Sequence, residues 1–294
     1  MISTLLMNFL ASLRAIRLVV HLLYGGMLAL FYPSLPVRFQ KRIMHRWSVE
    51  LLDVLHVRIS VNGELPLHEI KQGLIVANHI SWLDVFVMAS VLPMRFVAKS
   101  EVRSWPFIGW LCARANTIFI ERGRRSDTLR TNLQGIEHLR SGNCMAIFPE
   151  GTTSDGAQVR HFHASLLQPA IDSQTSIYPV AIHYHDKNNK PNFDAAYIDE
   201  MSFIQSLWKI LSSPHLHVRL TTTEALSTHA ENRRELALEA HRRIAQALSI
   251  ELPVVVENKT LQSINEELQH FQSSYSLLLY PPTQPETHEI PQSN

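Results

Sequence analysis

From residue 57 onwards the chain is punctuated by short apolar runs: VRISV (57–61), LIVA (74–77), RFVA (95–98), TIFIE (117–121), CMAIF (144–148), YPVAIH (178–183) and LHVRLT (216–221). Runs of this length, rich in Val, Ile and aromatic residues, predict strands. Helical periodicity between them predicts helices over 82–91, 126–140, 163–172, 203–212 and 231–249, the last rich in Glu, Arg, Ala and Leu. The alternation predicts an α/β layer fold in which a single mixed sheet is flanked by helices.

The first 32 residues follow a different pattern, strongly apolar and interrupted by the charges of Arg14 and Arg17, with an uncharged run from Leu18 to Tyr32 that contains His21, Gly25 and Gly26. A bilayer span needs ~20 residues, so this run is short for one. No small-residue cleavage site follows it, so a removed signal peptide is not expected. Beyond Pro33 and Pro36, residues 37–56 place Phe39, Ile43, Trp47, Leu51, Val54 and Leu55 on one helical side and Arg38, Lys41, Arg42 and Arg46 on the other. The two helices together read as an N-terminal amphipathic membrane anchor over 1–56; the alternative is that both cover the core of a soluble protein. An α/β domain over 57–251 follows, then an extension over 252–294 whose end, 281–294, is too polar and proline-rich to be expected to order.

Composition narrows the class. The 294 residues carry 27 Lys plus Arg against 26 Asp plus Glu, a net charge of +1, which argues against nucleic acid as a partner. Hydrophobic residues at 46% exclude disorder along the whole length. Cys112 and Cys144 are too few for a disulfide framework and lack metal-ligand spacing, so both are expected to pack as small hydrophobes in a reducing compartment. The charge is unevenly placed: residues 1–223 hold 22 basic and 16 acidic side chains, residues 224–294 hold 5 and 10. Beside the cluster on 37–56, a second gathers Arg95, Lys99, Arg103, Arg114, Arg122, Arg124 and Arg125. Each suits an anionic surface or ligand, or a solvated face.

The most specific segment is LIVANHISWLDVF, in which a strand ends at Asn78, His79 follows in a loop and a helix starts near Ser81. Five residues on one helix would point His79 and Asp84 roughly 140° apart, since each residue turns about 100°. With His79 outside the helix, its imidazole can fold back to Asp84, and a carboxylate on one ring nitrogen fixes the tautomer and raises the basicity of the other. The competing reading is a capping box, Ser81-x-x-Asp84, which leaves His79 without a purpose. A second segment, CMAIFPEGTTSDG, runs a buried strand into Pro149, Glu150, Gly151, Thr152, Thr153 and Ser154. His79 and Glu150 both lie just past the carboxyl ends of strands, where α/β sheets bind ligands.

On these residues the chain resembles the 1-acylglycerol-3-phosphate acyltransferase family, marked by a histidine, four residues and an aspartate. Four motifs match in family order between about Leu55 and His183: Asn78, His79, Ser81 and Asp84; Ile118 to Arg122 in NTIFIER; Phe148 to Thr152; and Ile177 to Ile182. The resemblance implies His79 as general base, Asp84 as its orienting partner, Lys99 and Arg122 as phosphate partners, and Glu150, Gly151 and Thr152 as positioning the acceptor. It implies transfer of a fatty acyl group from acyl-CoA or acyl carrier protein, as a donor substrate rather than a cofactor, to the free hydroxyl of a lysolipid, with lysophosphatidate the first choice. The seat would be a membrane surface, at the cytoplasmic face.

Two departures qualify the match. Asn116 stands where many members have glycine, a tolerable exchange because Asn visits left-handed conformations. Thr153 stands where many phosphate-acceptor members have arginine, and a threonine cannot grip phosphate bidentately. That opens a rival acceptor, the lyso form of an ornithine-type aminolipid; a catalytically silent membrane-surface binding protein is the rival from another class. Histidines spaced by two, His161 and His163, His183 and His185, and His215 and His217, supply no third or fourth zinc ligand, so no metal is expected. The chain has no G-x-S-x-G elbow of a serine hydrolase.

Overall fold

The computed structural model describes residues 2–120, 125–198, 200–214, 216–229 and 232–249, with side chains from residue 9 onwards except 125–128. The expectations for Arg122, Arg124 and the extension over 252–294 lie outside the described residues, as does the side chain of Arg125.

Seven strands form one sheet: β1 (Val57–Gly63), β2 (Gly73–Ala77), β3 (Arg95–Lys99), β4 (Ile118–Ile120), β5 (Cys144–Ile147), β6 (Ile177–His185) and β7 (Leu216–Thr222). Their spatial order is β1-β7-β6-β2-β5-β3-β4. Every pair is parallel except β6 with β7, so the sheet is mixed, as its sequence pattern predicts. β2 and β5 are buried at every residue, which is why they read as unbroken apolar runs; β7, buried at alternate residues, reads as an alternation.

Helices cover both faces. α1 (Ile2–Phe31), α2 (Val37–Val54), α3 (Asp84–Ala89) and α7 (Phe203–Ser212) contribute to one side, while α5 (Arg125–Arg140), α6 (Gln168–Ser173) and α8 (Arg233–Ala247) pack on the other. A further helix, α4 (Ile108–Arg114), follows a 3₁₀ turn at Ser100–Ser104. Residues 126–140 and 203–212 fold close to expectation. The helix expected over 163–172 is divided, with a 3₁₀ turn at Ala164–Leu167 before α6, where Pro169 stands at the start of the α-helix.

The N-terminal helices differ from a detached anchor. Ala11 and Leu18 of α1, and Leu51, Leu52 and Leu55 at the end of α2, are buried in the same core as Ile75, Val180 and Val218 of the sheet. The charges that interrupt the apolar run face the domain: Arg14 donates to the carbonyls of Leu211 and Ser213 at 2.9 and 3.0 Å, and Arg17 pairs with Asp53 at 3.1 Å. α1 is continuous through both arginines, and the stretch Phe9–Ser34, which runs from α1 into the following 3₁₀ turn, is long and apolar enough by length and composition to cross a membrane. Phe9, Leu13, Ile16, Val20, Leu23, Met27 and Leu30 form an exposed stripe at alternating spacings of four and three.

The two basic clusters separate. Arg38, Lys41 and Arg42 line a cavity of about 440 Å³ with His45 and Lys71, at the starts of the central strands; Arg46 pairs with Glu50 along α2. The second cluster is dispersed: Arg114 donates to the carbonyls of Ala29 and Leu30, Arg103 lies over the Phe119 ring, and Lys99 is exposed at the end of β3.

Candidate active site

β2 ends at Ala77, but its ladder does not. The Asn78 amide donates to the Ile182 carbonyl at 3.0 Å and accepts the Ile182 N–H at 2.7 Å, so a side chain takes the place of one more strand pair. The backbone is thereby released to turn, and residues 79–83 form the loop into α3. Asp84, at the first turn of α3, is fully buried. Its Oδ2 accepts the N–H groups of Ile80 and Ser81 at 2.7 and 3.0 Å and His79 Nδ1 at 2.9 Å, while Oδ1 accepts the Tyr184 hydroxyl at 2.7 Å.

A carboxylate oxygen accepts from a ring N–H, so Nδ1 of His79 is the donor in this pair. The imidazole lies flat against Phe148, centroids 4.1 Å apart and planes at 11°. Half of the expected capping box is present. The Asp84 carboxylate reaches back to the Ser81 N–H, but Ser81 Oγ is buried without a partner among the described residues and the helix starts after Leu83. The carboxylate is used for the histidine as well as the turn, which a cap alone would not require.

Glu150 holds two loops together. Oε1 accepts the His79 N–H at 2.8 Å and Oε2 accepts the Arg160 N–H at 3.0 Å. Burial pushes its carboxyl up to about 7 against the pull of those two donors, with the nearby Asp84 charge adding to the rise. Glu150 is thus a buried brace behind the loop 79–83 and is not part of the cleft's lining. Gly151 has φ +72°, a conformation only glycine adopts freely, and its N–H closes a turn on the Phe148 carbonyl at 3.0 Å. Ser154 N–H then returns to the His79 carbonyl at 2.8 Å, and Tyr197 N–H reaches the Ile80 carbonyl at 3.0 Å.

A cleft of about 920 Å³ opens on His79. Its lining includes the polar side chains of Lys99, Thr152, Thr153, Arg160 and Glu200, and an apolar end formed by Leu18, Leu22 and Leu28 of α1, Met44 and Trp47 of α2, and Ile108 and Leu111 of α4. Thr153 Oγ1 donates to the Tyr197 carbonyl. Cys112 also lines the cleft, where burial pushes its thiol up to about 11, so at neutral pH it is protonated and no nucleophile.

Backbone N–H groups near His79 are a natural first choice for stabilising an oxyanion, but those of His79, Ile80 and Ser81 are all taken by carboxylates. Sequence reasoning passed over Tyr184, Arg160 and Glu200. Tyr184 reads as one more core aromatic on an apolar strand, and the other two lie in loops without a motif. His183 and His185 do share a face, rings 5.7 Å apart, with His217 5.5 Å from His185, yet among the described residues no group of three His, Cys, Asp or Glu is placed to hold a metal.

A histidine hydrogen-bonded to a buried carboxylate, at the carboxyl ends of parallel strands and open to an apolar cleft, defines a class of enzyme able to activate a hydroxyl beside a lipid-like chain. Comparison with known proteins is consistent with that class. The Acyltransferase family profile matches residues 58–183. The lyso-ornithine lipid O-acyltransferase of Pseudomonas aeruginosa is 34% identical over 210 residues, covering 71% of this chain and 79% of that protein. The 1-acyl-sn-glycerol-3-phosphate acyltransferase of Neisseria meningitidis serogroup B is 36% identical over 170 residues, 58% of this chain and 66% of that one. The crystal structure of the 1-acyl-sn-glycerophosphate (LPA) acyltransferase PlsC from Thermotoga maritima shares the fold, with a TM-score of 0.60 at 21% identity over 86% of this chain and 98% of that one. The chain belongs to the acyltransferase family of these proteins, and is an O-acyltransferase.

Proposed function

We propose that the protein moves a fatty acyl group from a thioester donor, acyl-CoA or acyl carrier protein, to the free hydroxyl of a lysolipid at a membrane surface. One observation carries this reading: the His79–Asp84 pair, 2.9 Å apart, opens on a cleft whose apolar end runs between α1, α2 and α4. His79 Nε2 takes the hydroxyl proton as the oxygen attacks the thioester carbon, and Asp84 stabilises the imidazolium. Collapse expels the thiolate, which recovers the proton from Nε2. General-base assistance of this kind supplies ~10² to 10⁴ in rate. The Thr152 and Thr153 N–H groups have no protein acceptor among the described residues, and both residues line the cleft, so they are our choice for the oxyanion donors.

For the acceptor, our reading is a lysolipid with an amino-acid head group, such as lyso-ornithine lipid. Thr153 brings no cation, and its hydroxyl is engaged by the Tyr197 carbonyl. The Pseudomonas relative, which covers more of this chain than the Neisseria one, is named for that substrate. The second reading is lysophosphatidate, favoured by the name of the Neisseria relative and by Lys99 in the wall of the cleft. The membrane seat is supported by the exposed stripe on α1.

Thiol release from acyl-CoA and acyl carrier protein, measured with a panel of lysolipids, tests the proposal. Release dependent on a lysolipid supports it, and its absence with every acceptor and donor overturns it.

A further inference from the structure

Three exposed charged side chains line the cleft and form no ion pair or side-chain hydrogen bond among the described residues: Lys99, Arg160 and Glu200. Arg114, also in the wall, is engaged by the carbonyls of Ala29 and Leu30. The unpartnered set is thus two cations and one carboxylate, not a cationic trap alone.

Their supports are firm. The Arg160 N–H is held by Glu150 Oε2 at 3.0 Å, and the preceding carbonyl, of Val159, is bonded to His241 Nε2 at 3.0 Å. Glu200 stands between two fixed points. On one side is Tyr197, whose N–H holds the Ile80 carbonyl and whose own carbonyl receives Thr153. On the other is Ser202, the capping residue of α7, paired reciprocally with Gln205. Each charge is therefore carried on a segment tied directly to the catalytic loop, one through Glu150 to His79 and the other through Tyr197 to Ile80.

A phosphate monoester in this cleft could pair with Lys99 and Arg160, but Glu200 would face it as a like charge. A head group with both a carboxylate and an ammonium has a partner for each. Arg suits the carboxylate, because its planar fork binds two oxygens, and Glu suits the ammonium, because it only accepts. We propose that Arg160 and Glu200 are the specificity-determining pair for the acceptor, Arg160 binding the carboxylate and Glu200 the ammonium of a zwitterionic amino-acid head group. This assignment rests on the acyl-transfer reading above and adds the residues that select among lysolipids.

The test is thiol release by the full-length protein with two acceptors, lyso-ornithine lipid and lysophosphatidate, for wild type, Glu200→Gln, Arg160→Gln and Arg160→Lys. For the zwitterionic acceptor, Glu200→Gln and Arg160→Gln should each raise KM tenfold or more with kcat little changed, and Arg160→Lys should recover part of the loss. For lysophosphatidate, Glu200→Gln should lower KM, because a repelling charge is gone. An unchanged KM for the zwitterionic acceptor in Glu200→Gln, or equal increases for both acceptors, overturns the assignment while leaving acyl transfer standing. Absence of thiol release by wild type with any lysolipid overturns both. Both side chains are exposed, so unchanged melting temperatures are expected and distinguish a binding effect from misfolding.

Discussion

Tyr184 donates its hydroxyl to Asp84 Oδ1 at 2.7 Å across 100 residues of sequence, joining the carboxyl end of β6 to the start of α3. Burial and the Asp84 charge hold the phenol well above its ordinary range, so it remains a donor at every working pH. Tyr184→Phe keeps the ring and leaves Oδ1 one donor short. The expected cost is about 1 to 3 kcal/mol of stability, read by denaturant unfolding, with turnover per folded molecule reduced less than in Asp84→Asn.

His79→Ala should lower turnover by ~10² to 10⁴ with an unchanged circular dichroism spectrum. Asp84→Asn is the sharper variant. Its amide oxygen can still accept from Ile80 and Ser81, and its amide group can face the Tyr184 oxygen, so the turn survives while the charge opposite His79 Nδ1 disappears. Turnover per folded molecule equal to wild type would reduce Asp84 to a structural residue.

Glu150 gives stability a pH dependence of defined sign. Its carboxyl is raised from 4.5 to about 7 by burial, so between those values the folded state binds the proton more tightly than the unfolded chain. The contribution of this group is fully present below pH 4.5 and is lost as pH rises towards about 7, amounting to about 3 kcal/mol over the window. Glu150→Gln should flatten that slope in unfolding measured at several pH values. It should also impair turnover, since one end of the amide is a donor and must face either the His79 or the Arg160 N–H. A slope identical to wild type would contradict the burial argument.

Gly25 is a notch in α1. A Cβ placed there would meet Trp47 Nε1 at 2.6 Å, and both residues line the apolar end of the cleft. Gly25→Ala should cost about 1 to 3 kcal/mol through overpacking, or push the indole into the cleft and shift acyl-chain preference towards shorter donors. Thermal unfolding together with a donor chain-length series separates the two outcomes, and no effect on either would mean that the helices part more easily than their packing suggests.

The stripe on α1 can be tested without disturbing the core. Ile16, Leu23 and Met27 are 62%, 64% and 67% exposed. Their joint replacement by serine should leave the melting temperature nearly unchanged and release the protein from anionic vesicles in a flotation assay. Deleting residues 1–56 should instead yield aggregated protein, because Leu51, Leu52 and Leu55 would be withdrawn from the core.

Much of this was legible in order along the chain. The seven apolar runs all became strands, the central β2 and β5 buried throughout and β1, at the edge of the sheet, mostly exposed beyond Val57, and Asn78, His79 and Asp84 lie where their spacing placed them. α4 was missed because residues 100–116 carry no helical period: a 3₁₀ turn, Pro106 and a left-handed Phe107 precede only seven helical residues. Glu150 was expected to help position the acceptor, but that its side chain turns to the His79 and Arg160 N–H groups was not legible, since a motif marks a position and not the direction of its side chain. Tyr184, Arg160 and Glu200 depend on pairings between distant loops and strands, which no local pattern records.

α1 has one face on the cleft, through Leu18, Leu22 and Leu28, and another turned outwards, through Ile16, Leu23 and Met27. Along this stretch the partition between the apolar end of the cleft and the exterior is therefore a single helix, about 10 to 12 Å across with its side chains. For a bilayer resting against that outer face, a chain joined to its acceptor has only the width of one helix to travel before it is again among hydrocarbon. The path from reaction to membrane would then bypass water altogether.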